Sequence, residues 1–110
     1  MARWQSQDGA ELYQIPAWGK GWFEVNPEGN LTLSTPGCAA PINLHRLVED
    51  LRRRGVALPI LLRFPELIHA RIEQLVAAFG AASKEYGFTG AYRGVYPIKV
   101  NQDKHLVDAV

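Results

Sequence analysis

The sequence has almost no cysteine. Its single thiol, Cys38, excludes an intrachain disulfide framework and any cysteine-rich zinc site. It sits in a Pro/Gly loop with no basic neighbour in sequence, where an ordinary thiol is expected. Charge of one sign is not in excess either: 12 Lys and Arg face 11 Asp and Glu, a formal net charge of +1. That balance excludes a highly charged disordered chain and gives no electrostatic footing for general nucleic-acid binding. The longest apolar run, near Val56 to Leu62, is only about seven residues, against roughly 20 for a membrane-spanning helix, so no membrane partner is expected. The opening residues Met1 to Asp8 carry no apolar stretch of the kind a secretory signal needs. Scarce cysteine without a signal points to a reducing, cytoplasmic compartment. Internal repeats and low-complexity segments are lacking too. What remains, 110 residues of which 47% are hydrophobic, is material for one ordinary domain at most.

The chain changes character near position 41. From Trp4 to Pro41 it is rich in turns and aromatics. Gly21-Trp22-Phe23-Glu24-Val25 and Leu31-Thr32-Leu33-Ser34 alternate around the turn cluster Asn26-Pro27-Glu28-Gly29-Asn30. This predicts a β-hairpin with a loop longer than two residues, followed by a connector over 35–41. From Ile42 the period becomes helical. Leu44, Leu47, Val48 and Leu51 predict an amphipathic helix over about 43–54, with Asn43 as N-cap and Gly55 as its stop. Arg52, Arg53 and Arg54 then suit the negative end of the helix dipole better than they suit nucleic acid. Pro59 to Phe64 is a short apolar run expected to be a buried strand. Pro65 suits the first turn of a second helix over about 65–86, whose face is marked by Ile68, Ile72, Leu75, Val76 and Phe79. Tyr92 to Val100 predicts another strand, and a helix is expected to begin near Lys104.

Two buried strands joined by a long helix make a βαβ unit, with parallel strands and a right-handed crossover. One such unit closes no sheet, and Asp108-Ala109-Val110 carries no stop signal. The expected fold is therefore α/β, the beginning of a longer protein built as a (β/α)8 barrel or a doubly wound sheet. Residues 1–41 would be an N-terminal hairpin segment and connector, and 42–110 the first βα units.

Lys99 fits a bland reading least well. At the C-terminal end of a buried strand it shares a face with Pro97, Val95 and Arg93, and in a barrel it would point into the mouth where barrel active sites lie. A lysine there can act as an amine that condenses with a carbonyl, provided its surroundings lower a pKa ordinarily near 10.4. The alternative is a lysine reaching to solvent at a strand end. Arg63, near the end of the other strand, is open between a phosphate or carboxylate ligand and an ion pair with an acid at the barrel rim. His105 lies in a first helical turn after Lys99, where it either reaches the mouth or is a surface residue. His45 and His69 fall on polar helix faces, and no two histidines have the i, i+4 spacing of a zinc site. Trp18 and Trp22 could stack on a base or sugar, but aromatics anchoring a hairpin onto a domain surface are the commoner case. Gly87, Gly90 and Gly94 lack G-x-G-x-x-G spacing and are expected in turns.

Arg93-Gly94-Val95-Tyr96-Pro97-Ile98-Lys99-Val100-Asn101-Gln102 resembles the pyridoxal-phosphate lysine motif of biosynthetic arginine decarboxylases. Leu58-Pro59-Ile60-Leu61-Leu62-Arg63-Phe64-Pro65 is similar to that family's first barrel strand. Tyr13-Gln14-Ile15-Pro16-Ala17-Trp18-Gly19-Lys20-Gly21-Trp22-Phe23 is similar to its N-terminal signature, with Trp22 where the family usually has Tyr. Three ordered motifs across nearly the whole chain are more specific than the lysine motif alone, which alanine racemases and diaminopimelate decarboxylases share in looser form. The resemblance implies a TIM-like barrel of the alanine-racemase type, here with only its first two strands, and a separate C-terminal β-domain. It implies conversion of L-arginine to agmatine and carbon dioxide at the head of a polyamine route. Lys99 would hold the cofactor and Pro97 would pack beside it. It also implies a magnesium requirement, for which the sequence offers no ligand cluster, and a homo-oligomer at full length. The phosphate loop, the acid for the pyridine nitrogen, the histidine over the ring and the carboxylates for the guanidinium would come from later sequence, so residues 1–110 alone are expected to be inactive. Two other readings stay open: another basic-amino-acid decarboxylase on the same barrel, and a non-catalytic barrel homologue with a binding or regulatory role.

Overall fold

The computed structural model describes residues 3–110. They form two compact units that divide between Leu61 and Leu62.

The first unit is built around the hairpin. β1 (Phe23–Val25) and β2 (Leu31–Leu33) pair antiparallel, with Phe23 opposite Leu33 and Val25 opposite Leu31. The connection is set by Asn26, whose backbone carbonyl accepts from Gly29 N at 2.9 Å and whose side-chain oxygen accepts from Asn30 N at 2.8 Å. Pro27 presets φ at the first central turn position, and Gly29 takes the left-handed conformation at φ 83°. β3 (Ile42–Asn43) adds antiparallel to β2, giving the order β1-β2-β3. This third strand was not expected from the sequence, because two residues are too few for any alternation to register. Two further helices also lie where only turns were expected: α1 (Ser6–Leu12) and α2 (Ile15–Gly19). Asp8 reaches back to the Gln5 backbone N–H at 2.8 Å, half of a capping box, and Pro16 sits in the first turn of α2. Both helices pack on β1. Ile15 at 5% exposure and Leu33 at 0% mark the centre of this core.

α3 (Leu44–Arg53) begins where expected. The Asn43 side chain accepts from Arg46 N at 3.1 Å. It ends in a Schellman motif: Gly55, at φ 87°, donates to Arg52 O at 2.9 Å, and Val56 donates to Leu51 O at 3.0 Å. Arg52 pairs with Glu49 and Arg53 with Asp50, as side chains on a solvated helix surface. The helix packs on β2 and β3.

Trp4 ties the N-terminus to the hairpin turn. A Cβ placed on Gly29 would stand 2.9 Å from the Trp4 ring, and one on Gly9 3.2 Å from it. Gly29→Ala is therefore expected to cost about 1–2 kcal/mol for its left-handed backbone, plus a displacement of Trp4. Gly37→Ala is the control: it has the same φ of 83° but open space around it. Denaturant midpoints of the two variants measure the difference, and equal losses would show that the Trp4 contact contributes nothing.

In the second unit α4 (Pro65–Glu85) has Pro65 in its first turn, as expected. It stops at Gly87, at φ 66°, with Phe88 N donating to Ser83 O at 2.8 Å. The following chain runs back along α4, and Tyr92 stacks on Phe79 with ring centroids 4.3 Å apart and planes 9° from parallel. Ala70 is buried, while Leu75, Val76 and Phe79 are each about half exposed, so the apolar face of α4 is only partly covered.

The two expected parallel strands are not formed. Residues 59–64 and 92–97 form no strand, Pro59 lies in a bend, and Ile98–Val100 is a short 3-10 turn. The sheet among the described residues is the antiparallel one, so the chain is a small mixed α/β structure without a βαβ unit. Parallel pairing is the weaker kind per residue, and a strand buried on both faces needs partners on each side. Those partners are lacking here: Leu61 is 75% exposed and Val95 88% exposed. A short apolar run also cannot by periodicity alone be told from another kind of buried segment.

Candidate active site

The residues from Tyr96 to His105 form a closed turn with Lys99 at its middle. Val100 N donates to Pro97 O at 3.0 Å and closes the 3-10 turn. The Tyr96 hydroxyl donates to Asn101 O at 3.2 Å, and Asp103 N donates to the Asn101 side-chain oxygen at 3.0 Å. Asp103 then caps α5 (Lys104–Val107): its carboxylate accepts from His105 N at 3.0 Å. Asn and Asp occupy these positions for a physical reason, since their short side chains satisfy backbone N–H groups that a turn leaves unpaired.

Arg63 forms an ion pair with this same carboxylate, guanidinium to Asp103 Oδ1. Of the two readings left open by the sequence, the structure shows the pairing with an acid. The acid lies beside α5, and both side chains remain about one-third exposed. The hydrogen bond from Arg63 holds the Asp103 carboxyl below its ordinary pKa. Partial burial opposes this, and the Arg63 charge and the backbone N–H groups of His105 and Leu106 add to it.

Lys99 is exposed within the 3-10 turn. Among the described residues its amine has neither an ion-pair nor a hydrogen-bond partner. The strand alternation that would place Lys99 and Pro97 on one face does not apply, because side chains in a 3-10 turn repeat every three residues, not every two. Pro97 instead stands at the start of the turn and accepts from Val100. An apolar cavity of about 600 Å³ lies along α4, lined by Ile72, Leu75, Val76, Tyr92 and Val95. Tyr96 reaches its wall, while Pro97 and Lys99 are outside it.

The other candidates are plainly placed. His45, His69 and His105 are exposed, and Cys38 is an exposed thiol. Trp18 packs on Phe23 with centroids 5.1 Å apart, and its indole N–H donates to Tyr13 O at 3.0 Å, so it anchors the hairpin. Among the described residues no group of three His, Cys, Asp or Glu side chains clusters as metal ligands, and no helix is long and apolar enough to cross a membrane. Sequence reasoning missed Asp103 as a site-building residue. Its capping signal was legible in Asn101-Gln102-Asp103; its pairing with Arg63 was not, because that depends on how the chain returns along α4.

No protein-family model matches the chain. Individual proteins do. It is 41% identical to biosynthetic arginine decarboxylase of Thermosynechococcus vestitus over 99% of its own length and 17% of that protein's. It is 42% identical to the enzyme of that name from Gloeobacter violaceus over 100% and 17%. For the Deinococcus radiodurans protein the figures are 45%, 96% and 16%. The chain is homologous to biosynthetic arginine decarboxylases. It spans about a sixth of the length of these relatives. The homology runs through all three of the motifs and includes the turn around Lys99.

For pyridoxal phosphate, the cofactor that the family resemblance implies, the chemistry of the turn fits at the aldehyde end. Lys99 is a primary amine on a turn held by hydrogen bonds on both sides, and among the described residues it has no partner that would have to be displaced.

Proposed function

We propose that this chain is the lysine-bearing N-terminal part of a pyridoxal-phosphate-dependent decarboxylase that converts L-arginine to agmatine and carbon dioxide, at the head of polyamine and spermidine biosynthesis. The observation that carries the reading is identity of 41–45% across essentially the whole chain to biosynthetic arginine decarboxylases, beside the resemblance of 93–102 to that family's lysine motif. In the full-length protein residues 42–110 would supply the first βα units of an alanine-racemase-type barrel, and residues 1–41 the hairpin segment and connector. The site would lie in the cytoplasm, in a homo-oligomer that requires magnesium.

When bound, pyridoxal phosphate supplies an electron sink for the pair left behind as the carboxylate departs. Lys99 holds the cofactor through its Nζ, and Pro97 borders it. The turn from Tyr96 to Asp103 fixes where the Lys99 backbone stands, so that its amine is carried on a defined turn. The chain has only four lysines, Lys20, Lys84, Lys99 and Lys104, which makes the assignment directly measurable. Borohydride reduction of the full-length protein loaded with pyridoxal phosphate, followed by peptide mapping, is expected to place the pyridoxyl group on Lys99. A label on Lys104, or on a lysine outside residues 1–110, refutes the assignment.

A further inference from the structure

We propose that Arg63 is a positioning residue for Lys99, acting through its ion pair with Asp103; the proposal rests on the reading of Lys99 as the cofactor-holding residue. The hydrogen bonds that shape the turn are all local. Val100 to Pro97, Tyr96 to Asn101, Asp103 to Asn101 and His105 to Asp103 each join residues at most five apart. They fix the form of the turn but not its place in the unit. Two side-chain contacts tie it to α4 and the segment before that helix. Upstream, Tyr92 stacks on Phe79 of α4. Downstream, Asp103 is tied to Arg63, two residues ahead of the first residue of α4. Lys99 therefore hangs between two anchors on one long helix and its leading segment.

The two anchors differ in kind. The stack is apolar and tolerant of sliding. The Arg63–Asp103 pair is an ion pair made to a carboxylate oxygen that also accepts from His105 N. Asp103 thus couples three things: the end of the lysine turn, the start of α5, and the segment before α4. Loss of the pair leaves the turn intact and frees it to shift relative to α4. An ångström-scale displacement of a reacting amine is enough to slow an attack that depends on alignment, so the effect falls on reactivity at Lys99 more than on folding.

The test uses four variants of the full-length protein, the last of them Arg63→Lys. Arg63→Met keeps the apolar stem and removes the charge. Asp103→Asn removes the charge and keeps an N-cap acceptor, so α5 retains its cap. The third carries both changes. Stopped-flow absorbance measures the rate at which pyridoxal phosphate links to the apoprotein, and peptide mapping after borohydride identifies the lysine. Each single variant is expected to link at Lys99 about tenfold more slowly than the parent, with the double variant no slower than the worse single one. KM for arginine is expected within twofold of the parent, and Arg63→Lys is expected to restore part of the rate. Linkage at Lys99 at the parental rate in both single variants overturns the positioning role while leaving the cofactor assignment standing. Failure of the parent itself to label Lys99 overturns the cofactor assignment, and the positioning role with it. If Arg63→Met does not fold, Asp103→Asn decides alone, and a parental rate there overturns the proposal.

Discussion

Lys99→Ala is expected to abolish turnover of the full-length enzyme while leaving its fold unchanged. The side chain is exposed, and among the described residues its amine is bonded to nothing, so truncation breaks no packing and no ion pair. The bonds that close the turn run through Pro97, Val100, Tyr96, Asn101 and Asp103, all of which remain. What disappears is the amine proposed to link the cofactor. The expected loss is roughly 10³-fold or more, the scale of removing a group that acts covalently, with a thermal melting temperature close to that of the parent. Lys99→Arg is the matching control, since it keeps the charge but cannot take over the amine's chemistry. A variant that unfolds would show instead that Lys99 is structural, and one that keeps full activity would remove it from the mechanism. Residues 1–110 by themselves are expected to release no carbon dioxide.

The second large effect concerns the substrate. Full-length enzyme is expected to release carbon dioxide from arginine faster than from ornithine, lysine or diaminopimelate, by on the order of 10²-fold or more in kcat/KM. The warrant is the homology, which covers all three motifs. The physics concerns the planar fork of a guanidinium, whose N–H groups pair with carboxylates two at a time. A site shaped for that fork leaves acceptors unpaired when offered a single ammonium, and unpaired buried acceptors are expensive. Side-by-side assays with pyridoxal phosphate and magnesium supplied decide it. Faster release from ornithine or diaminopimelate would overturn the substrate and leave the role of Lys99 untouched.

The elements that could be read from the sequence are those whose ends are written in side chains. α3 is one: Asn43 caps it, Arg52 and Arg53 occupy its last turn, and Gly55 takes the left-handed stop. α4 is another, opened by Pro65 and closed at Gly87. The hairpin is a third, because Asn26, Pro27 and Gly29 leave its turn few choices. α1 and α2 were missed although Asp8 and Pro16 mark their starts, because helices of seven and five residues are too short to show a period. The expected strands over 59–64 and 92–100 failed for a different reason. A strand exists only by pairing, and apolar composition says that a segment wants cover without saying from what.

The same division runs through the site. The sequence by itself determined the local devices: the Asx-type bond of Asn101 and the cap of Asp103 on α5, each made between residues a few positions apart. It also determined that Arg63 had to find an anionic partner or solvent. Which of these it found was decided only by tertiary structure. Arg63 and Asp103 lie on either side of α4 in the chain, and they meet where the chain, turned at Gly87, runs back along that helix with Tyr92 stacked on Phe79. No periodicity encodes such a meeting. The free energy that holds it is spread over contacts between distant residues, and these exist only once the helix has formed and the returning segment has docked on it.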